Sequence, residues 1–384
     1  MVKPVKPTSG SFVERGWSLW RQLAEGRPTG HPEYRRPGPS AAHTGLLHDV
    51  DLGDLLAPEH LGARRRLALF ASAVAGIVRF ELSDLVGPHH SAPSIRGVRV
   101  TELEALLHGQ WAVYDPTRHA FAEPDADLTD AASQGAAPSE TDSGLPDALR
   151  LVVDLSRVPD GYTPVREVVG LMEAGMHLAT FGWLAGLLYP AAAFELGDVP
   201  VEAVRRWTLA TVDLRREGKP PAHPLGRLAA VSRPDRAIRS RSAGRGPWGL
   251  VPARRTEGQR EAVRARVRSL LAYDHRVGLS PVVLPAEELA AVFTYPDDRV
   301  DVAAADAAVF WRARRSDNDS DARNALLSAG AASQRLGLAL GEEGFFVRPV
   351  RSFDPVVLAR GSDVVVMASV VGRSSYDELS IALA

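Results

Sequence analysis

The hydrophobic pattern changes character several times along the chain. From Asp51 to Val78 apolar positions recur at helical spacing, with Leu52, Leu55 and Leu61 leading into the run LALFASAVAGIV, and this predicts helix. Ala148–Leu155 (ALRLVVDL) is short, apolar and rich in β-branched residues, as a buried strand is. Arg166–Leu188 is apolar almost all round and reads as one long helix. A helix with no polar face belongs inside a core or an intimate interface. Its Gly175, Gly182 and Gly186 would let another helix approach closely. Residues 122–146 are acidic, small and almost free of large apolar groups. Such a stretch buries too little to offset its chain entropy and is expected to be a disordered surface insertion. Residues 1–45, rich in Pro, Gly and Arg, read as an arm lying over the body, with one short amphipathic stretch near Val13–Leu23.

Parts of the pattern recur. Trp111–Arg118 resembles Ala291–Arg299, each an apolar run ending in a polar turn, and Leu171–Gly175 resembles Leu327–Gly330, each opening an apolar helix. Tyr114 precedes Gly175 by 61 residues and Tyr295 precedes Gly330 by 35, a difference of 26, close to the 25 residues of the acidic insertion. Two diverged copies of one unit, the first with an extra loop, would explain this; coincidence between short apolar patterns is the competing explanation. The expected division is an arm over residues 1–50, a first unit over 51–220 and a second over 221–384.

Composition narrows the chemistry. The chain has 384 residues, 45% hydrophobic and 24% charged, so it can bury a core without staples. It holds no cysteine, which removes disulfides, thiolate nucleophiles and Cys-based metal sites. Of its 45 basic residues 42 are Arg, which weakens any argument from a single Arg. Charge is uneven: residues 201–270 carry 17 basic and 6 acidic side chains, net +11, which leaves −13 elsewhere for a total of −2. Such a segment can hold nucleic acid, an acidic peptide or a phosphate-bearing cofactor, or can simply be a solvated face. Its only aromatics of note are Trp207 and Trp248, so nucleic acid is not expected as a partner. No metal-binding His spacing, phosphate-binding Gly-rich loop or nucleophile elbow occurs, so no metal is expected. No secretory leader opens the chain, and Leu178–Phe194 contains Pro190, so no membrane partner is expected and the protein reads as cytoplasmic.

An ordered series of short motifs then comes into view. Ala92-Pro93-Ser94 is followed by Thr101-Glu102, by Val113–His119 (VYDPTRH), by Tyr162 and by Leu171–Gly175 (LMEAG). The series resembles the SagB-type azoline dehydrogenases of the nitroreductase superfamily, with their APS-x-G loop, YDP-x-x-H turn and LLEAGH-type helix. In the second copy Leu327–Gln334 resembles the superfamily's DAG-x-x-x-QN helix, Val347–Asp354 the strand and turn after it, and Val364–Arg373 the final strand with its Gly-Arg. The resemblance spans roughly residues 50–375 with eroded motifs. It implies an α+β fold: a duplicated nitroreductase-like fold of two mixed-sheet units with long central helices packed as a pseudo-dimer, and FMN held between them.

The resemblance also points to residues. Arg239, Arg241, Ser242 and Arg245 resemble the family's phosphate clamp in composition, though not in spacing, and an Arg-rich linker would look the same. Arg373, Gln334 and Ser94 are further candidates for cofactor binding. Arg96 stands where the family's loop has glycine. The family's Lys-Tyr pair falls on Gly161 and Tyr162, which leaves Tyr162 as the candidate catalyst or as a packed phenol. A tyrosine with a pKa near ~10 is a weak base unless a cation lowers it. The implied activity is FMN-dependent dehydrogenation of a heterocycle or residue in a precursor peptide, in peptide natural-product biosynthesis. Its partners would be a peptide or small-molecule substrate and other biosynthetic enzymes, with the chain a pseudo-dimeric monomer or a homodimer. The alternative is a flavin-free relative acting as a binding or scaffold partner of an active dehydrogenase.

Overall fold

Cap chemistry fixes where the helices start and stop. A computed structural model describes residues 43–46, 50–81, 88–93, 99–122, 145–158, 160–200, 205–218, 231–240, 245–246, 249–250, 252–272, 279–293, 301–315, 318–351, 353, 363–373 and 380–382. Strand β1 (His43–Leu46) is followed by helix α1 (Ala63–Ala75), which stops at Gly76; the β-branched pair after it opens β2 (Ile77–Glu81). Then come β3 (Pro88–His90), β4 (Thr101–Leu107), β5 (Gln110–Asp115), β6 (Ala120–Ala122), β7 (Ala148–Asp154), α2 (Arg166–Leu188), β8 (Ala192–Leu196) and β9 (Arg206–Glu217). The second half runs α3 (Pro234–Ser240), β10 (Arg245–Gly246), β11 (Gly249–Leu250), α4 (Glu257–Leu271), β12 (Leu279–Leu284), α5 (Ala286–Ala290), β13 (Ala307–Arg314), α6 (Asp319–Glu342), β14 (Phe346–Val350), β15 (Asp363–Gly372) and β16 (Ser380–Ala382). Thr256 and Gln259 close a capping box on α4, and the Asn318 side chain accepts the Ser320 N–H at 2.9 Å to start α6.

The two halves repeat one topology. In the first, β7–α2–β8–β9 produces the strand order β4-β7-β9-β8; in the second, β13–α6–β14–β15 produces β12-β13-β15-β14. All the pairings within both sets are antiparallel, and both central pairs carry a register shift, at Leu151/Val152 and at Trp311/Arg312. The first sheet is extended to seven strands by β5, β6 and β1. The mixed sheets expected from the sequence are therefore antiparallel among the described strands. The reason is the return hairpin: each helix carries the chain to a strand that is second neighbour, and β9 or β15 fills the gap in the opposite direction.

Helices α2 and α6 form the seam between the halves. They run in the same direction, with Arg323 donating to Glu167 at 2.6 Å near their starts and Gln334 to Thr180 at 3.0 Å further on. Between these contacts the backbones touch at glycine. A Cβ on Gly175 would lie 2.1 Å from the Leu327 carbonyl oxygen, and one on Gly330 would lie 2.1 Å from that of Met172. Displacing Gly175, Gly182 and Gly186 by the 155 residues from Gly175 to Gly330 gives Gly330, Gly337 and Gly341. One buried cluster collects side chains from both halves, including Phe70, Leu103 and Phe181 from the first and Trp311, Leu326 and Leu340 from the second. Strand β13 is covered on both faces: Val309 and Trp311 join that cluster, whereas Ala308 and Phe310 join a smaller one with Leu289 and Phe353. Among the described residues one helix, α2, is long and apolar enough to cross a membrane, and 94% of its apolar window is buried inside the protein.

Three expectations change. The helical reading of Asp51–Val78 gives way after Gly76, where β2 begins. Of the run Ala291–Arg299, Ala291 and Val292 form the turn that ends α5 and Phe293 bridges Phe353, where a strand like β5 was expected; residues 294–299, Tyr295 among them, lie outside the described residues. Strand β15 is not the last: β16 follows and pairs with β2 of the first half. The arm over residues 1–42 and residues 123–144 of the acidic insertion lie outside the described residues.

Candidate functional site

The seam is polar where it meets the segment after β3. Gln334 of α6, 1% exposed, donates through Nε2 to the Ser91 carbonyl at 2.7 Å and to Thr180 Oγ1 at 3.0 Å. Glu173 of α2, 2% exposed, accepts the Val100 N–H at 2.7 Å, and His177 Nε2 lies 4.0 Å from the same carboxylate oxygen. The last turn of α1 takes hydrogen bonds from the same segment: Ser91 Oγ donates to Val74 O at 3.2 Å, Arg99 to Ala75 O at 2.6 Å, and His90 Nδ1 is 2.8 Å from Gly76 O. These carbonyls lack helical partners at a C-terminus, so side chains satisfy them. Burial pulls the Arg99 guanidinium down to about 10, against the opposing attraction of Glu173. Burial pushes the Tyr114 phenol up, with Arg99 opposing; its hydroxyl shares a 2.5 Å hydrogen bond with Nδ1 of His119, itself in the left-handed region at φ 51°.

A second polar region lies at the C-terminal end of α6. Arg373 donates to the Glu343 carbonyl at 3.1 Å and lies 4.4 Å from the centre of the Phe345 ring. Ser232 and Ala253 both reach the same place. The Ser232 N–H donates to Glu342 at 3.0 Å, and the Ala253 N–H donates to the Arg373 carbonyl at 2.7 Å. Next to it, Asp306 is 1% exposed, with Arg255 at 3.5 Å. Burial pushes the Asp306 carboxyl up, although Arg255, Arg260, Arg373 and Arg264 all oppose the shift.

The candidates from the sequence are thus divided. Tyr162 sits half-buried on the turn before α2, packed against the core. Gln334 is level with Thr180, about 20 Å further along the helix axis, and Glu343 beside Arg373 is about 14 Å beyond that. Arg239 ends α3 and donates to Asp51 at 2.9 Å. Ser94, Arg241 and Ser242 lie outside the described residues, and of Arg245 only the backbone, in β10, is described. Hence Arg373 lies near Ser232 and Ala253, which flank the Arg-Ser stretch in the sequence, whereas Tyr162 is at the opposite end of the seam.

Sequence reasoning passed over Glu173, His177, Asp306 and Arg255. For the first two a signal existed: they are the only ionisable residues between Val168 and Leu188. Among the described residues no group of three or more His, Asp or Glu could hold a metal. For FMN the described donor groups that fit are the Arg373 guanidinium at the C-terminal end of α6 and Arg239, whose surface pair with Asp51 can exchange its carboxylate for a phosphate. The middle of the seam does not fit: the Gln334 amide donates inward, and its Oε1, though without a hydrogen-bond partner, is sealed from solvent.

No family model and no curated protein matches the chain. Among solved structures it is similar to a candidate nitroreductase from Anabaena variabilis ATCC 29413, with 12% identity over 95% of this chain and 99% of that one, at a TM-score of 0.58. A candidate nitroreductase from Ralstonia eutropha JMP134 (15% identity, 51% of this chain, 90% of that one, TM-score 0.28) also matches. So does a nitroreductase family protein from Clostridium difficile 630 (12%, 33% and 77%, 0.22). At such identities the likeness is one of fold, and the first of the three spans nearly the whole of both chains.

Proposed function

We propose that this chain, whose fold is nitroreductase-like, is an FMN-dependent oxidoreductase built as a pseudo-dimer in one polypeptide. The observation that carries the reading is the contact of Ser232 and Ala253, which flank Arg239, Arg241, Ser242 and Arg245 in the sequence, with Glu342 and Arg373 at the C-terminal end of α6. Repeated strand order and reciprocal glycines support two halves of common origin. The guanidiniums would hold the phosphate as paired forks, and the buried seam would exclude water from the ring. When bound, the flavin supplies the hydride acceptor. The substrate we favour is a heterocycle or residue of a peptide in natural-product biosynthesis. Tyr162 is the candidate base, and it can serve only a substrate that reaches the N-terminal end of α2.

A second reading, a flavin-free partner of an active dehydrogenase, is favoured by the inward commitment of Gln334 and by Arg96 in place of a loop glycine. Absorbance decides between them. Purified full-length protein incubated with FMN and desalted should be yellow. Colourless protein would exclude the flavin-dependent reading and leave the partner role.

A further inference from the structure

The cationic end of α6 holds a buried carboxylate that the proposed function does not employ. Asp306 immediately precedes β13, where several segments meet: its N–H donates to the Val371 carbonyl of β15 at 2.9 Å, and the Ala253 N–H donates to the Arg373 carbonyl. Four guanidiniums act on it, and they differ in what balances them. Arg260 of α4 pairs with Glu287 of α5, and Arg264 pairs with Glu257 and Glu261 of its own helix. At the end of α6, Glu343 is taken by Arg266 of α4. Among the described residues Arg373 donates to a neutral carbonyl, that of Glu343, and Arg255 has Asp306 as its one counter-charge. That last pair is loosely made. Its atoms are 3.5 Å apart, neither Asp306 oxygen accepts a hydrogen bond, and Arg255 Nη1 donates none. A carboxylate and a guanidinium normally close to about 2.7–2.9 Å, and leaving both underserved in a buried place is costly. Arg373 is exposed, the Arg255 side chain is 19% exposed, and both lie over the Phe345 ring, at 4.4 and 5.6 Å from its centre. The two guanidiniums short of counter-charge thus reach solvent at one ring, and the carboxylate is buried against one of them.

We infer that Asp306 is an internal counter-anion: it occupies Arg255 until a phosphate group from solvent takes the guanidiniums of Arg255 and Arg373, and its carboxyl takes up a proton in the exchange. This adds Arg255 and Asp306 to the phosphate contacts of the function proposed above, but the oxyanion site itself requires no flavin. Burial already pushes the Asp306 carboxyl up, against the pull of the arginines. Turning Arg255 to an external anion removes the largest of those pulls, so the bound anion favours the protonated carboxyl. By linkage the anion binds more tightly below the folded pKa and more weakly as pH rises through it.

Sulfate tests this on the full chain, because it stays a dianion while a carboxyl titrates. Its affinity, read by calorimetry at constant ionic strength, should rise about tenfold or more from about pH 8 to about pH 4.5, with net proton uptake on binding. Asp306→Asn should bind sulfate at the higher pH as tightly as the parent does at the lower, with no proton uptake. Arg255→Gln should bind weakly throughout. FMN should share the parent's pH profile and riboflavin, which lacks the phosphate, should not. Sulfate binding with this profile but no FMN binding would support the inference, with free phosphate as the ligand, and defeat the flavin reading alone. No sulfate binding, or an adventitious ion only, with affinity and pH profile unchanged in Asp306→Asn and Arg255→Gln, would overturn the inference. Should Asp306→Asn fail to fold, proton uptake in the parent and its loss in Arg255→Gln give the answer.

Discussion

Gly175 and Gly330 face each other's helices in reciprocal fashion, each with its missing side chain occupied by a carbonyl of the other, from Leu327 and Met172. The obstructing atoms are backbone, which cannot rotate away. Gly175→Ala and Gly330→Ala should therefore each destabilise the protein by about 2–3 kcal/mol, the upper part of the range for overpacking. Denaturant midpoints at unchanged slope would measure this. Because the contacts mirror each other, the two losses should be similar; a neutral result at either position would mean that the helices do not cross there.

The Arg323–Glu167 pair ties the starts of α6 and α2, with side-chain exposures of 7% and 19%. Removing one partner strands the other, so Arg323→Met should cost about 3 kcal/mol. Replacing both, as Glu167→Leu with Arg323→Met, should recover much of that loss. Equilibrium unfolding of the three variants provides the comparison.

Stability should also depend on pH through Asp306. Burial raises its folded pKa above the unfolded value, so its contribution is fully present below the unfolded carboxylate range and fades as pH rises through the folded pKa. Asp306→Asn stays neutral at every pH. The stability difference between variant and parent should accordingly move in the variant's favour between pH 3.5 and pH 7 (about the span over which a raised carboxyl titrates). Urea midpoints that track each other across that range would contradict the assignment.

If flavin is bound, Arg241→Ala with Arg245→Ala should lower FMN affinity by about tenfold or more, since each lost charge-assisted contact is worth roughly 1.5–3 kcal/mol. Equilibrium dialysis reads the change. Unaltered affinity would remove both residues from the phosphate site.

Much of this architecture is legible in the sequence where burial is total. Helix α2 has the bounds that its apolar run suggests, and β7 ends one residue short of its predicted end, because neither segment has a polar face to blur its limits. The conformation of Ala291–Phe293 is not legible: a three-residue apolar run carries no period, and in the structure it turns out of α5 and bridges Phe353 through Phe293. Of the site, Gln334 and Arg373 stand out through motif resemblance, but which way a carboxamide points depends on Ser91, 243 residues earlier in the chain. Glu173 and His177 were visible as two ionisable positions one turn apart in an apolar helix. Their target, the amide of Val100, was not, because backbone groups leave no trace in residue identity.

Residence of α2 and α6 in a single polypeptide has a lasting effect on what the protein can become. In an assembly of identical copies every substitution arrives on both sides of the axis, and a residue that helps one side must be tolerated on the other. Here each helix is encoded separately, so a carboxylate can enter one while serine occupies the matching turn of its companion. Each flank is thereby free to diverge from the other.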